Sequence, residues 1–138
     1  MWVVGDEVID REVHLTRTDL QVYAEASGDR NPIHLDDEIA AAVGLPGVIA
    51  HGMLTMGHVS RVVTDFIGSV RALKSLSVRF TRPVIVPPLS TQPNYATLHI
   101  TGKVTAVDEA TGEAIIAVSA IFNGQTVLAR AEARVATP

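Results

Sequence analysis

The sequence predicts an α+β fold, with a strongly curved antiparallel sheet wrapped around one long helix in a single domain over residues 1–138. Apolar residues recur at helical spacing as far as Gly68, and beyond it they alternate with a period of two. No β-α-β alternation supports a parallel sheet, and one long apolar helix needs a sheet to cover it.

In chain order, Glu12-Val13-His14-Leu15 alternates polar and apolar residues, so residues 11–15 are read as a short edge strand. Thr16 and Asp19 then form a capping box in its Asp form, with Leu15 and Leu20 as the hydrophobic staple around it. The helix that follows has Leu20, Tyr23, Ala24 and Ser27 on its inward stripe, and Gly28 ends it in the left-handed conformation. Pro32 cannot continue that helix and holds Asn31 extended, so residues 29–34 form a stiff connection. Asp36 caps a short second helix through Ala40-Ala41-Ala42 that ends at Gly44, and Leu45-Pro46-Gly47 is a turn.

From His51, the residues Met53, Met56, Val59, Val63 and Phe66 recur at spacings of three and four, which predicts a helix of roughly four to five turns ending near Gly68. Leu54, Val62 and Ile67 widen its apolar stripe, so most of its sides are expected to be covered. Leu76, Val78 and Phe80 open the alternating region as the inward face of a strand. Ala96, Leu98, Ile100, Val104 and Ala106 continue the pattern, and Asp108 to Gly112 turns the chain. Residues 114–122 are apolar almost throughout, as in a central strand. Asn123-Gly124 is a type I′ hairpin signal, and Val127, Ala129, Ala131, Ala133 and Val135 form the returning inward face. Between the first two of these strands, Pro83, Pro87, Pro88 and Pro93 mark a long irregular connection. Together these elements describe a hot-dog fold.

Composition narrows the function classes. The net charge of −4 and the scatter of Lys and Arg exclude the basic footprint that nucleic acid requires. No cysteine is present, which removes disulfides, thiolate nucleophiles and thiolate metal sites. Neither a signal peptide nor an apolar run of membrane-spanning length is legible, so a cytoplasmic protein is expected. The low charged fraction of 19% leaves room for a large subunit-facing surface.

Two stretches carry chemistry. In Ser27-Gly28-Asp29-Arg30-Asn31-Pro32-Ile33-His34 an acid and an imidazole stand five positions apart across a break that forces the backbone to turn, aiming both into one space. Seventeen residues after His34, His51-Gly52-Met53-Leu54 begins the long helix with a glycine, whose end presents unpaired backbone N–H groups. An acid–base pair beside an oxyanion site implies chemistry next to a carbonyl.

These two motifs together resemble the MaoC-like (R)-specific enoyl-thioester hydratases and dehydratases. Leu15-Thr16-Arg17-x-Asp19-Leu20, Asp36-Asp37-Glu38-Ile39-Ala40 and His51-Gly52-Met53-Leu54-Thr55-Met56-Gly57 are most similar to the catalytic β-type subunits of the mycobacterial (3R)-hydroxyacyl-carrier-protein dehydratases. The resemblance implies reversible, (R)-specific addition of water to trans-2-enoyl thioesters. It assigns catalysis to Asp29, His34 and the Gly52 N–H, with Asp29 as base towards water and His34 as proton donor to Cα. It also implies that Asn31 orients the loop or the water, and that Ser60 lies near the site. His51 is read as fixing the start of the helix, with substrate binding as its alternative role. No cofactor is expected, since coenzyme A or phosphopantetheine belongs to the substrate. A homodimer, or a heterodimer with a homologous hot-dog subunit, is implied, with acyl carrier protein as a candidate partner. One departure stands out: where many such hydratases carry a Gly-Asp turn, this chain reads Val86-Pro87-Pro88-Leu89-Ser90-Thr91-Gln92-Pro93-Asn94.

Other readings fit these residues less well. A hot-dog thioesterase would direct water at the carbonyl, which Asn31-Pro32-Ile33-His34 argues against. A non-catalytic acyl-binding subunit should have lost Asp29 or His34. A zinc pair of His51 and His58 lacks a third ligand, so no metal is expected. Tyr23, Met53 and Met56 read as packing residues, and Arg79, Arg82, Lys103 and Arg130 as a solvated face rather than phosphate ligands.

Overall fold

The computed structural model describes residues 2–138. Strand β1 (Glu7–Thr16) runs directly into helix α1 (Arg17–Ser27). Thr16 Oγ1 accepts the Asp19 N–H at 3.1 Å, and Asp19 Oδ2 accepts the Thr16 N–H at 2.8 Å, so the capping box is closed in both directions. Leu15 and Leu20 on either side of it are fully buried. A 3₁₀ turn (Pro32–His34), α2 (Asp37–Ala42), α3 (Gly52–Ile67) and a second 3₁₀ turn (Val70–Ala72) follow. The remaining chain forms β2 (Leu73–Phe80), β3 (Tyr95–Asp108), β4 (Glu113–Phe122) and β5 (Gln125–Ala136).

All pairings are antiparallel, in the order β1-β3-β4-β5-β2, so the uninterrupted apolar segment β4 lies at the centre. The inner face brings Leu98 and Ile100 of β3, Ile116 of β4 and Ala131, Ala133 and Val135 of β5 into one core with Val59 and Val63 of α3. At Gly102 the sheet leaves no room for a side chain: a Cβ there would lie 3.0 Å from both Ile116 and Ile9. Asn123 and Gly124 take φ of 50° and 72°, as a type I′ turn requires at both central positions. No helix among the described residues is long and apolar enough to cross a membrane.

Four expectations are corrected. The first strand begins at Glu7 rather than residue 11, because β3 supplies backbone partners to a segment too charged to show alternation. Met53, read as a packing residue, is 58% exposed: with Gly57, Arg61 and Asp65, spaced by four, it forms the one exposed stripe of α3, while Leu54, Val62 and Ile67 pack against the core. Phe80 is 50% exposed, since the inner face at that end of β2 borders a cavity instead of the core. Arg130 takes a positive φ of 48°, and the register of β5 shifts there against both β4 and β2. The extra residue reverses the alternation, so Leu128 is buried and Ala129 only half-buried.

Arg17 and Asp37 tie together the segments that carry the site. Arg17 Nε donates to the Val86 carbonyl at 2.7 Å, and its two terminal nitrogens donate to Asp37 at 3.0 and 2.8 Å. The Val48 N–H also donates to Asp37, at 3.2 Å. Hydrogen bonding from Arg17 holds the Asp37 carboxyl below its ordinary range, against the opposing effect of partial burial. A carboxyl depressed in the folded state contributes stability that is complete above its unfolded pKa of about 4 and is lost as pH falls through the folded value. Asp37→Asn is therefore expected to lower the melting temperature at neutral pH, with the difference shrinking as pH falls below about 4. Melting curves across that range check this.

Candidate active site

The loop that carries the acid is built by local hydrogen bonds. Gly28 ends α1 at φ 79° and donates its N–H to the Ala24 carbonyl at 3.0 Å. The Asp29 N–H donates to Ser27 Oγ at 3.1 Å, and the Asn31 N–H donates to Asp29 Oδ1 at 3.2 Å. Asn31 in turn caps the 3₁₀ turn, its Oδ1 accepting the Ile33 N–H at 3.2 Å, with Pro32 preset in the first position. One Asp29 oxygen is thus committed to the loop. The other, Oδ2, faces His34 Nε2 at 4.0 Å.

His34 is fixed from behind. Its Nδ1 lies 2.7 Å from the Ile49 carbonyl, which can only accept, so Nδ1 carries a proton and Nε2 is the nitrogen left for chemistry. The Ile49 N–H donates to the Ile33 carbonyl at 3.1 Å, closing the same contact from the backbone. The proline-rich connection is strapped to this segment by Ala50 N–H to the Val84 carbonyl at 2.9 Å and Val86 N–H to the Val48 carbonyl at 3.0 Å.

His34 and Gly52 line one cavity of about 310 Å³, together with Thr55, Phe80, Arg82 and Leu128. Gly52 is the first residue of α3, and the His51 side chain makes no cap bond to that helix. The first N–H groups of α3 therefore have no partner from a capping side chain and point out of the helix end, where partial positive charge favours an anionic oxygen. The Phe80 ring lies across Gly52, close enough that a Cβ on residue 52 would stand 3.0 Å from it.

The six site residues divide. Asp29, His34 and Gly52 are gathered at this corner of the fold. Asn31 Oδ1 serves the 3₁₀ cap, which orients the loop. Ser60 stands outside the cavity lining, eight residues along α3 from Gly52 and so about 12 Å away by helix rise. His51 is not a cavity residue either: it is 2% exposed, its ring stacked on His34 at 3.9 Å between centroids and edge-on to Tyr23 at 4.8 Å. Its Nε2–H donates to the Asp29 backbone carbonyl at 3.0 Å. Burial pushes the His51 imidazole below the ordinary histidine value, outweighing that hydrogen bond.

Sequence reasoning did not single out Thr55 or Leu128 as lining residues, or Arg17 and Asp37 as the tie beneath the site. Thr55 carried a signal, a polar residue one helical turn from Gly52 on the buried face. Asp29, His34 and His51 each bring a ligand-type atom within 4.8 Å of the others, whereas His58 is not part of that group. The two imidazoles lie face to face with their planes 24° apart, so tetrahedral coordination of one ion would require the rings to open out of their stack.

Comparison with known proteins gives the site its context. A family profile described as "MaoC like domain" matches residues 3–92. A 3-hydroxyacyl-thioester dehydratase X of Mycobacterium tuberculosis is 40% identical over 76 residues, covering 54% of this chain and 26% of that protein. The chain thus spans about a quarter of the length of that curated relative. Among solved structures, a MaoC-like dehydratase superposes with a TM-score of 0.92 at 37% identity, over 99% of this chain and 41% of the other. The ChsH1-ChsH2 complex from Mycobacterium tuberculosis superposes with a TM-score of 0.83 at 26% identity, over the full length of both chains.

Proposed function

Because the chain belongs to the MaoC-like family, we propose that it hydrates trans-2-enoyl thioesters to (3R)-3-hydroxyacyl thioesters, and dehydrates them in reverse, in fatty-acid metabolism. The observation that carries this reading is the 4.0 Å gap between Asp29 Oδ2 and the one His34 nitrogen not committed to the backbone. A water molecule at hydrogen-bond distance from both atoms sits beside the line that joins them, with a carboxylate to one side and an imidazole to the other.

In the hydration direction Asp29 takes a proton as the water oxygen bonds to Cβ, and protonated His34 gives its Nε2 proton to Cα. The electron pair of the double bond moves onto the thioester oxygen and returns as Cα is protonated. The Gly52 N–H stabilises that oxygen while it carries charge. Asp29 is left protonated and His34 bare at Nε2, so one proton passed across the same gap restores the pair. Both transfers arrive from one face, giving syn addition and a single configuration at C3.

The acyl group is carried by coenzyme A or by the phosphopantetheine of an acyl carrier protein. The working assembly pairs this chain with a second hot-dog subunit, a copy or a homologue; strands β1 and β2, unpaired at the two sheet edges, are available for such pairing. Chiral analysis of the product from crotonyl-coenzyme A tests the reading. (3R)-3-Hydroxybutyryl-coenzyme A is expected as the only hydrated product, and the (3S) isomer would overturn it.

A further inference from the structure

We propose that His51 is a positioning residue, a buried strut that holds the Asp29 backbone and the His34 ring in the one arrangement in which both face the same water. The inference rests on the hydration reading above and deepens it. His51 is the residue before α3, where Ser, Thr, Asp or Asn would normally pair a free helix N–H. Its side chain does no capping. It turns away from the helix, which leaves that end open towards the cavity, and reaches back 22 residues to the Asp29 carbonyl.

Three contacts define the strut. The Nε2–H holds the Asp29 carbonyl at 3.0 Å, the ring face lies on His34 at 3.9 Å, and the Tyr23 ring closes the edge at 4.8 Å. A single side chain therefore touches both members of the catalytic pair while lying outside the cavity they serve. The remaining nitrogen, Nδ1, is buried and has no hydrogen-bond partner among the described residues. Protonation there would place a charged N–H with no acceptor against the face of His34. Among the described residues, the titratable groups facing His51 are Tyr23 from α1 and Asp29 and His34 from the loop, and none hydrogen-bonds Nδ1. His51 thus keeps its Nε2–H tautomer and stays neutral while His34 gains and loses a proton.

The test separates the two halves of the strut. His51→Phe keeps a ring against His34 and loses the donor, whereas His51→Gln keeps a donor and loses the ring. Misplacement of reacting groups by about 1 Å costs about 10²-fold in rate, so each variant is expected to lose at least about tenfold in kcat on crotonyl-coenzyme A. KM should stay within about threefold, and the pH profile of kcat/KM should move, which lost stability alone would not cause. Folded variants that both keep kcat within about twofold would overturn the proposal. Nitrogen NMR of the unmodified protein decides independently of the variants' folding. His51 is expected to keep the neutral Nε2–H tautomer at neutral pH and to gain its second proton only below the ordinary histidine value of about 6.5, and an Nδ1–H tautomer or protonation at or above that value would overturn the proposal. Absence of turnover by the unmodified chain would count against the hydration reading, while the NMR result still reads the strut.

Discussion

Replacing Asp29 by asparagine is expected to lower kcat for crotonyl-coenzyme A hydration by about 10²–10⁴-fold, the usual contribution of a positioned base, with little change in melting temperature. The side chain is 53% exposed, so the fold does not depend on burying it. An amide oxygen can still accept the Asn31 N–H that Asp29 Oδ1 accepts, which preserves the loop. What is lost is the proton-accepting oxygen opposite His34. His34→Gln should reach a similar loss in kcat at a greater cost in stability, since His34 is buried and bonded to Ile49. The double variant should be little worse than either single one, because two groups serving one water act as a unit. Steady-state rates with thermal melts of all three check this, and additive losses would show that the two residues act separately.

Converting Gly52 to proline is expected to lower kcat by a further 10²–10³-fold or so relative to Gly52→Ala, the usual cost of removing one oxyanion donor. Proline is well suited to the first position of a helix, where its missing N–H is unpaired within the helix in any case. His51 already has φ −59° and ψ 131°, the extended conformation that a following proline requires. The helix should therefore form normally without the donor. Gly52→Ala retains the N–H and controls for crowding, since its Cβ would stand 3.0 Å from the half-exposed Phe80 ring. That ring can swing aside, so the alanine variant should stay within about tenfold of the parent. Equal rates for the two variants would remove Gly52 from the oxyanion role.

The parts of the fold legible in the sequence are those written in local chemistry. Thr16 with Asp19, Gly28, Gly68 and Asn123-Gly124 each announce a boundary through a requirement confined to a few residues, and the structure uses all of them. The turn that sets Asp29 opposite His34 was legible in the same way, through Pro32, whereas the joining of Gly52 to that pair came with the family resemblance. What stayed hidden depends on contacts distant in sequence. Nothing near Arg17 shows that its guanidinium will meet Asp37 and Val86, and nothing near His51 reveals the Asp29 carbonyl. Periodicity also assumes that an inward face meets a core. At Phe80 it meets a cavity instead, so an aromatic residue read as packing lies over the open end of α3. The bulge at Arg130 is a third kind of miss, because one extra residue reverses inward and outward without leaving a glycine to mark it.

Under the proposed hydration, water adds at Cβ, beside the thioester carbonyl and not at it. Following enoyl absorbance and free thiol together during incubation with crotonyl-coenzyme A tests that most directly. The geometry around Asp29, His34 and Gly52 leads us to expect loss of enoyl absorbance with no thiol released; release of thiol with the enoyl group intact would contradict it.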